Sequence, residues 1–171
     1  MLRIDLRALA QGPVETTGEL SPNDPIFQGL DFALGEPVRV TGELTAAGPD
    51  QYYWRGELET HVRGECRRCL VPVDVGLTVP IGVLFTVDVQ SDDPSAWAIE
   101  PHAIELDLRP TIREELILSA PAYLLCREDC RGLCPGCGQD LNTGKCTCRS
   151  LGDPRWGPLA ALRDTQPEDE R

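Results

Sequence analysis

The chain has 171 residues, enough to bury an ordinary core without covalent staples. Its 28 acidic against 16 basic side chains give a formal charge of −12. That excludes nucleic-acid binding by bulk attraction, and no apolar run approaches the roughly 18–20 residues of a membrane span.

Residues 2–7, LRIDLR, alternate apolar and polar and predict a first strand. Residues 10–36 read as loop-rich, with Gly12-Pro13 and Ser21-Pro22-Asn23-Asp24-Pro25 as turn signals. Ile26, Phe27, Leu30, Phe32 and Leu34 are expected to pack this passage on the core. From Val38 the pattern is β: one strand to Leu44, a turn at Ala47–Asp50, and an antiparallel return over 52–62. That return places Tyr52, Trp54, Leu58, Thr60 and Val62 on one face. Val71–Val89, broken by Pro72, Gly76, Pro80 and Gly82, predicts two or three short strands, with Val79, Ile81, Val83 and Phe85 facing inward. Residues 88–102 read as an acidic, solvated insertion, with Trp97 at the core edge. Ile104–Asp107 is a short strand, and Asp107 can cap a helix over 109–119 that buries Leu108, Ile112, Leu116 and Ala120. Pro121 ends it.

The fold class expected is mainly β (α+β): a twisted antiparallel sheet or partly open barrel, one main C-terminal helix and a small zinc-ribbon-like module. The expected division is a β-rich body over 1–125 with its helix at 108–119, a cysteine-rich zinc-binding segment over 126–150, and a short helix with a disordered tail over 151–171. In that last part Asp153 and Pro154 start the helix, and Trp156, Leu159 and Leu162 dock it.

Eight cysteines lie in close pairs: Cys66 and Cys69, Cys126 and Cys130, Cys134 and Cys137, Cys146 and Cys148. Three chemistries compete for them. A disulfide framework suits small secreted chains, whereas MLRIDLRALA lacks the apolar run of a signal peptide and points to the cytoplasm. A redox centre in Cys66-Arg-Arg-Cys69 would leave six thiols unexplained. Metal accounts for all eight. Cys134-Pro-Gly-Cys137-Gly138 is a knuckle whose two-residue gap lets both sulfurs reach one zinc, and Cys146-Thr-Cys148 follows across a polar turn. The remaining four make a second tetrahedral site by arithmetic, although Cys126 and Cys130 could compete with the ribbon pair. Four thiolates leave no open coordination position, so two structural zinc ions are expected.

Catalytic signals are missing. The two histidines, His61 and His102, lie near no partner group in sequence, and there is no phosphate loop, HExxH or nucleophile elbow. The chain reads as a non-enzyme without a small-molecule substrate.

GECRRCLVPV, LDLRPTIREELILSAP, LCREDCRGLCPGCGQDLNTGKCTC and DPRWGPLAAL, in that order, resemble the bacterial YceD-like family of large ribosomal RNA subunit accumulation proteins. The resemblance runs over most of residues 38–163; residues 1–37 match loosely. It implies a β-rich fold with helical and cysteine-bearing C-terminal parts, and support of 23S rRNA accumulation and large-subunit biogenesis. It also supports pairing Cys66 and Cys69 with Cys126 and Cys130. The chain departs from the family pattern at Pro158 and in an insertion around Asp92–Trp97. The partners implied are 23S rRNA or a large-subunit precursor, or a basic ribosomal protein. Direct RNA contact would fall to Arg63, Arg67, Arg68, Arg127, Arg131, Lys145 and Arg149, which otherwise only screen thiolate charge. The alternatives are a zinc-stabilised interaction adaptor without RNA contact, or a thiol redox protein.

Overall fold

The computed structural model describes residues 2–87, 96–148 and 155. The body is a twisted sheet built on three long antiparallel strands: β4 (Val38–Gly48), β5 (Gln51–Glu65) and β6 (Pro72–Thr86). β2 (Val14–Leu20) pairs with β4, and β7 (Trp97–Ala98) adds in parallel beyond β6. β3 (Ala33–Leu34) pairs with β5 beyond the start of β4. Among the described residues the sheet does not close into a barrel, because β2 and β7 do not pair with each other. A separate two-stranded ladder joins β1 (Arg3–Asp5) to β8 (Glu105–Asp107) and leads into the helix α1 (Arg109–Ser119).

One core lies on one face of the sheet. The register sets Val40, Leu58 and Val79 in one row across the strands, and Leu44, Trp54 and Val83 in another. α1 covers them with Leu108, Ile112 and Leu116, all fully buried. The N-cap is Leu108, not the expected Asp107, and it has no side-chain cap; one residue earlier Asp107 Oδ1 accepts from the Arg109 backbone N–H at 3.0 Å, and the helix ends before Pro121, with Ala120 extended at ψ 134°. The inward face expected for 52–62 is the one observed.

Three local expectations are corrected. Strand-like alternation over 2–7 lasts only to Asp5; Leu6–Gln11 is a 3₁₀ turn, because the Asp5 carboxylate accepts from the Arg7 backbone N–H at 3.0 Å and caps it. The passage 10–36 contains a seven-residue strand, β2. Its inward positions are Val14, Thr16, Gly18 and Leu20, so half of them carry no large apolar group. Thr16 accepts from the buried Trp54 indole N–H at 2.9 Å, and a Cβ on Gly18 would lie 2.7 Å from Leu2 Cγ.

The third correction is β6, one strand of 15 residues rather than two or three. The Thr86 carbonyl accepts from Ile99, on the side away from β5. Residues of the same parity, Pro72 and Pro80 included, aim their backbone groups the same way. The missing proline N–H groups therefore fall on the side away from β5, where no described strand pairs with them, and take nothing from the β5 ladder. Trp97 packs partly buried against the core edge as expected. Of the solvated insertion expected over 88–102, residues 88–95 lie outside the described residues, while Trp97–Ala98 form β7 rather than loop; the helix after Asp153 with Pro158 and the tail over 164–171 also lie outside the described residues. No helix among the described residues is long and apolar enough to cross a membrane.

Candidate metal centre

The hairpin turn between β5 and β6 carries the first knuckle. Cys66 to Cys69 occupy that turn, closed by Leu70 N–H to Cys66 O at 2.8 Å, with Leu70 left-handed at φ 61°. The second knuckle is the same turn: Gly138 N–H bonds Cys134 O at 2.8 Å and Gly138 has φ 74°. Glycine meets that backbone angle without steric cost; leucine does not, and Leu70 is also 56% exposed.

Beyond α1 the chain returns to the first knuckle, where Arg67 N–H donates to Leu124 O at 2.9 Å. This sets Cys126 and Cys130 opposite the knuckle, with Cys66–Cys130 and Cys69–Cys126 sulfurs 3.8 and 3.6 Å apart. Cys66, Cys69, Cys126 and Cys130 form one group, and Cys134, Cys137, Cys146 and Cys148 a second; within each, all sulfurs lie within 4.8 Å of one another. A tetrahedral ion with bonds of about 2.3 Å needs sulfurs roughly 3.8 Å apart, so both donor sets fit one. All eight thiols are free, and separations of 3.4 to 3.8 Å exceed the ~2.05 Å of a disulfide. The first set is the more buried: Cys66, Cys69 and Cys130 form a small core of their own with Val73, Leu125 and Leu133. Cys137 and Cys148 of the second set are exposed.

The protonation pattern matches this purpose. Burial opposes ionising Cys66, but backbone N–H groups of Cys126, Arg68 and Cys69 outweigh it and bring the thiol down to about 6. Burial and the sulfurs of Cys130, Cys69 and Cys66 push Cys126 up to about 12. In the second set, backbone N–H groups of Gly136 and Cys137 bring Cys134 down to about 7, while the sulfurs of Cys146 and Cys137 push Cys148 up to about 12. In each set backbone N–H groups favour one thiolate while the crowding of sulfurs disfavours another.

The basic residues around these sets are mostly engaged. Arg68 Nη1 donates to the carbonyls of Glu128 and Cys130 at 3.0 and 2.8 Å, tying the loop before the second knuckle to the first. Arg63 pairs with Asp74 at 2.7 Å, and Arg127 with Asp129 at 3.3 Å and Asn142 at 2.9 Å. Arg67 lies over the Tyr123 ring, 4.6 Å from its centroid, and that ring is 65% exposed. The Arg131 backbone N–H donates to Asn142 at 2.8 Å. Lys145 lies in the loop between Cys137 and Cys146; Arg149 lies outside the described residues. Asn142 closes the GLCPxCGxxLN segment on which the resemblance rests, but its reach to Cys130 and the bracing role of Arg68 were missed, because both act across the fold.

Beside the first knuckle runs a groove of about 540 Å³. Leu30, Phe32, Ile117 and Leu124 line it, with Asp31 and Glu65 among its polar groups.

A sequence profile described as large ribosomal RNA subunit accumulation protein YceD matches residues 54–163, which span both knuckles, α1 and the second cysteine set. The chain belongs to the YceD family. Similar proteins include an uncharacterised protein of Mycobacterium tuberculosis, 33% identical over 133 residues, which cover 76% of this chain and 58% of that protein. The large ribosomal RNA subunit accumulation protein YCED homolog 1, chloroplastic, of Arabidopsis thaliana is 35% identical over 71 residues, 41% of this chain and 22% of its own. The maize protein of the same description is 26% identical over 185 aligned residues, 90% of this chain and 58% of its own. This family member thus spans a little over half the length of the mycobacterial relatives it matches. No solved structure matches it.

Proposed function

We propose that this chain is a non-enzymatic cytoplasmic factor, braced by two structural zinc ions, that supports accumulation of 23S rRNA during large-subunit biogenesis. The family match and the descriptions of the plant relatives support the role. The closed donor sets support structural metal, since four sulfurs fill a tetrahedral ion and leave no position for substrate.

The observation that carries the mode of action is the engagement of the arginines. Arg63, Arg68 and Arg127 spend their guanidinium groups on Asp74, backbone carbonyls, Asp129 and Asn142. They are poorly free to track phosphates. The outer face of the sheet sets Glu15 beside Glu43, and Glu19 and Glu59 on either side of Arg39. Such a surface suits a basic protein partner of the large subunit. The exposed Arg67–Tyr123 stack favours a second reading, direct contact with an unpaired base of rRNA.

Ultraviolet crosslinking in cells, with sequencing of the RNA that co-purifies, tests the two. The comparison variant is Arg67→Ala/Tyr123→Ala/Arg131→Ala, which spares the bracing Arg68. Background reads from the wild type, with 23S rRNA reduced when the protein is depleted, are expected for a protein partner. Reads at discrete places in 23S rRNA that the variant loses would establish direct contact. Unchanged 23S rRNA on depletion would overturn the role itself.

A further inference from the structure

Asn142 sits in the second cysteine set's loop yet reaches the first set. Its Nδ2 donates to Cys130 Sγ at 3.5 Å and to Asp140 Oδ1 at 2.6 Å. Its Oδ1 accepts from the Arg131 backbone N–H at 2.8 Å and from Arg127 Nη2 at 2.9 Å. Neither of those groups can accept a hydrogen bond, so the amide has one consistent orientation, with its N–H₂ toward the sulfur. Aspartate has the same shape but, once ionised, cannot donate; alanine offers neither end.

The position of this amide depends on the second set. Asn142 belongs to the loop 138–145, whose ends are Cys137 and Cys146. That loop is laid against the first set by Leu141 N–H to Gly132 O at 2.9 Å and by the bridge between Leu133 and Asp140. Leu133 N–H in turn bonds Arg68 O at 2.9 Å, inside the first knuckle. The left-handed Gly132 (φ 73°) permits this approach, since a Cβ there would lie 2.7 Å from Arg68 O. Only Arg131, Gly132 and Leu133 separate Cys130 of one set from Cys134 of the other.

We propose that Asn142 couples the two metal sites: an ion in the second set closes the loop that holds the Asn142 amide against Cys130, so the first set binds its own ion more tightly when the second is filled. This rests on the reading that both sets hold metal. A hydrogen bond to a bound thiolate offsets part of its charge and fixes its orientation, and loss of such a partner costs a site about 10- to 100-fold in affinity. The coupling is reciprocal by thermodynamic necessity. Because the second set is the more exposed, a chelator or oxidant that strips it also loosens the buried first set.

The test uses the full chain, reduced, titrated with Co²⁺ against a competing chelator, with ¹¹³Cd resonances assigned to each set. The variants are Asn142→Asp, Asn142→Ala and Cys137→Ser/Cys146→Ser. Wild type is expected to take two ions. Both Asn142 variants are expected to keep two, with the first set weakened about 10- to 100-fold and its ¹¹³Cd resonance moved. Cys137→Ser/Cys146→Ser is expected to take one ion at the same weakened affinity, and adding Asn142→Ala to it should weaken that ion no further. Wild-type affinity at the first set in the Asn142 variants, or in the serine variant that retains Asn142, would overturn the coupling. A wild-type chain that takes up no Co²⁺ would instead overturn the metal reading and the coupling with it.

Discussion

Trp54 shows how single residues set the core. Its indole occupies a slot that exists because Gly42 and Gly56, paired across β4 and β5, carry no side chains. A Cβ on Gly56 would meet the ring at 2.6 Å, and one on Gly42 would lie 2.9 Å from its nitrogen. Thr16 completes the slot by accepting the indole N–H. Thr16→Val keeps the volume but strands that buried donor, so a loss of about 1–3 kcal/mol is expected in urea unfolding. At the helix start, Asp107→Ala removes the acceptor for the Arg109 N–H and is expected to cost about 1 kcal/mol. Its carboxyl is held below the usual value of 3.8, first by the Arg109 side-chain hydrogen bond. The charged form is thus the stabilising one. The gap between wild type and Asp107→Ala should be full at pH 7 and close as pH falls below 3.8, read from unfolding curves across that range.

At the scale of elements, long strands with prolines are the instructive case. Pro72 and Pro80 look like breaks in β6, yet the strand runs through both because their backbone faces away from β5, toward an edge that no described strand covers at those positions. The same feature protects that edge, since a proline offers no N–H to an incoming strand. Pro80→Thr restores one edge donor. Stability is expected to stay within about 0.5 kcal/mol, while self-association rises, as measured by sedimentation. The helix was legible because Leu108, Ile112 and Leu116 recur at the helical period and prolines mark both ends. β2 was not, because two of its four inward positions serve neighbours instead of adding apolar surface.

For the whole molecule, two separate clusters of buried residues divide the work. The larger holds the sheet against α1 with ordinary apolar side chains. The smaller consists chiefly of cysteines, with Val73, Leu125 and Leu133 packed on it among the described residues. Without a cation, four crowded thiols repel or reprotonate, and so little apolar surface cannot hold that end together. Removing metal with a strong chelator is therefore expected to expose residues 124–148 to protease first, while the strand signal of the body persists in circular dichroism. Simultaneous loss of both would show that the metal also holds the sheet.

The grouping of the thiols in close pairs was readable from the chain alone, because gaps of one to three residues are local and keep both sulfurs of a pair near each other in any fold. The inward face of β5 and the apolar face of α1 were readable for the same reason, since period two and period 3.6 are properties of one segment. Contacts between segments distant in sequence were not. The Trp54 slot, the bracing by Arg68 and the reach of Asn142 to Cys130 each join groups brought together by strand register or by the return of the chain past α1. No local pattern encodes them, because the partner of each group is chosen by the packing of the rest.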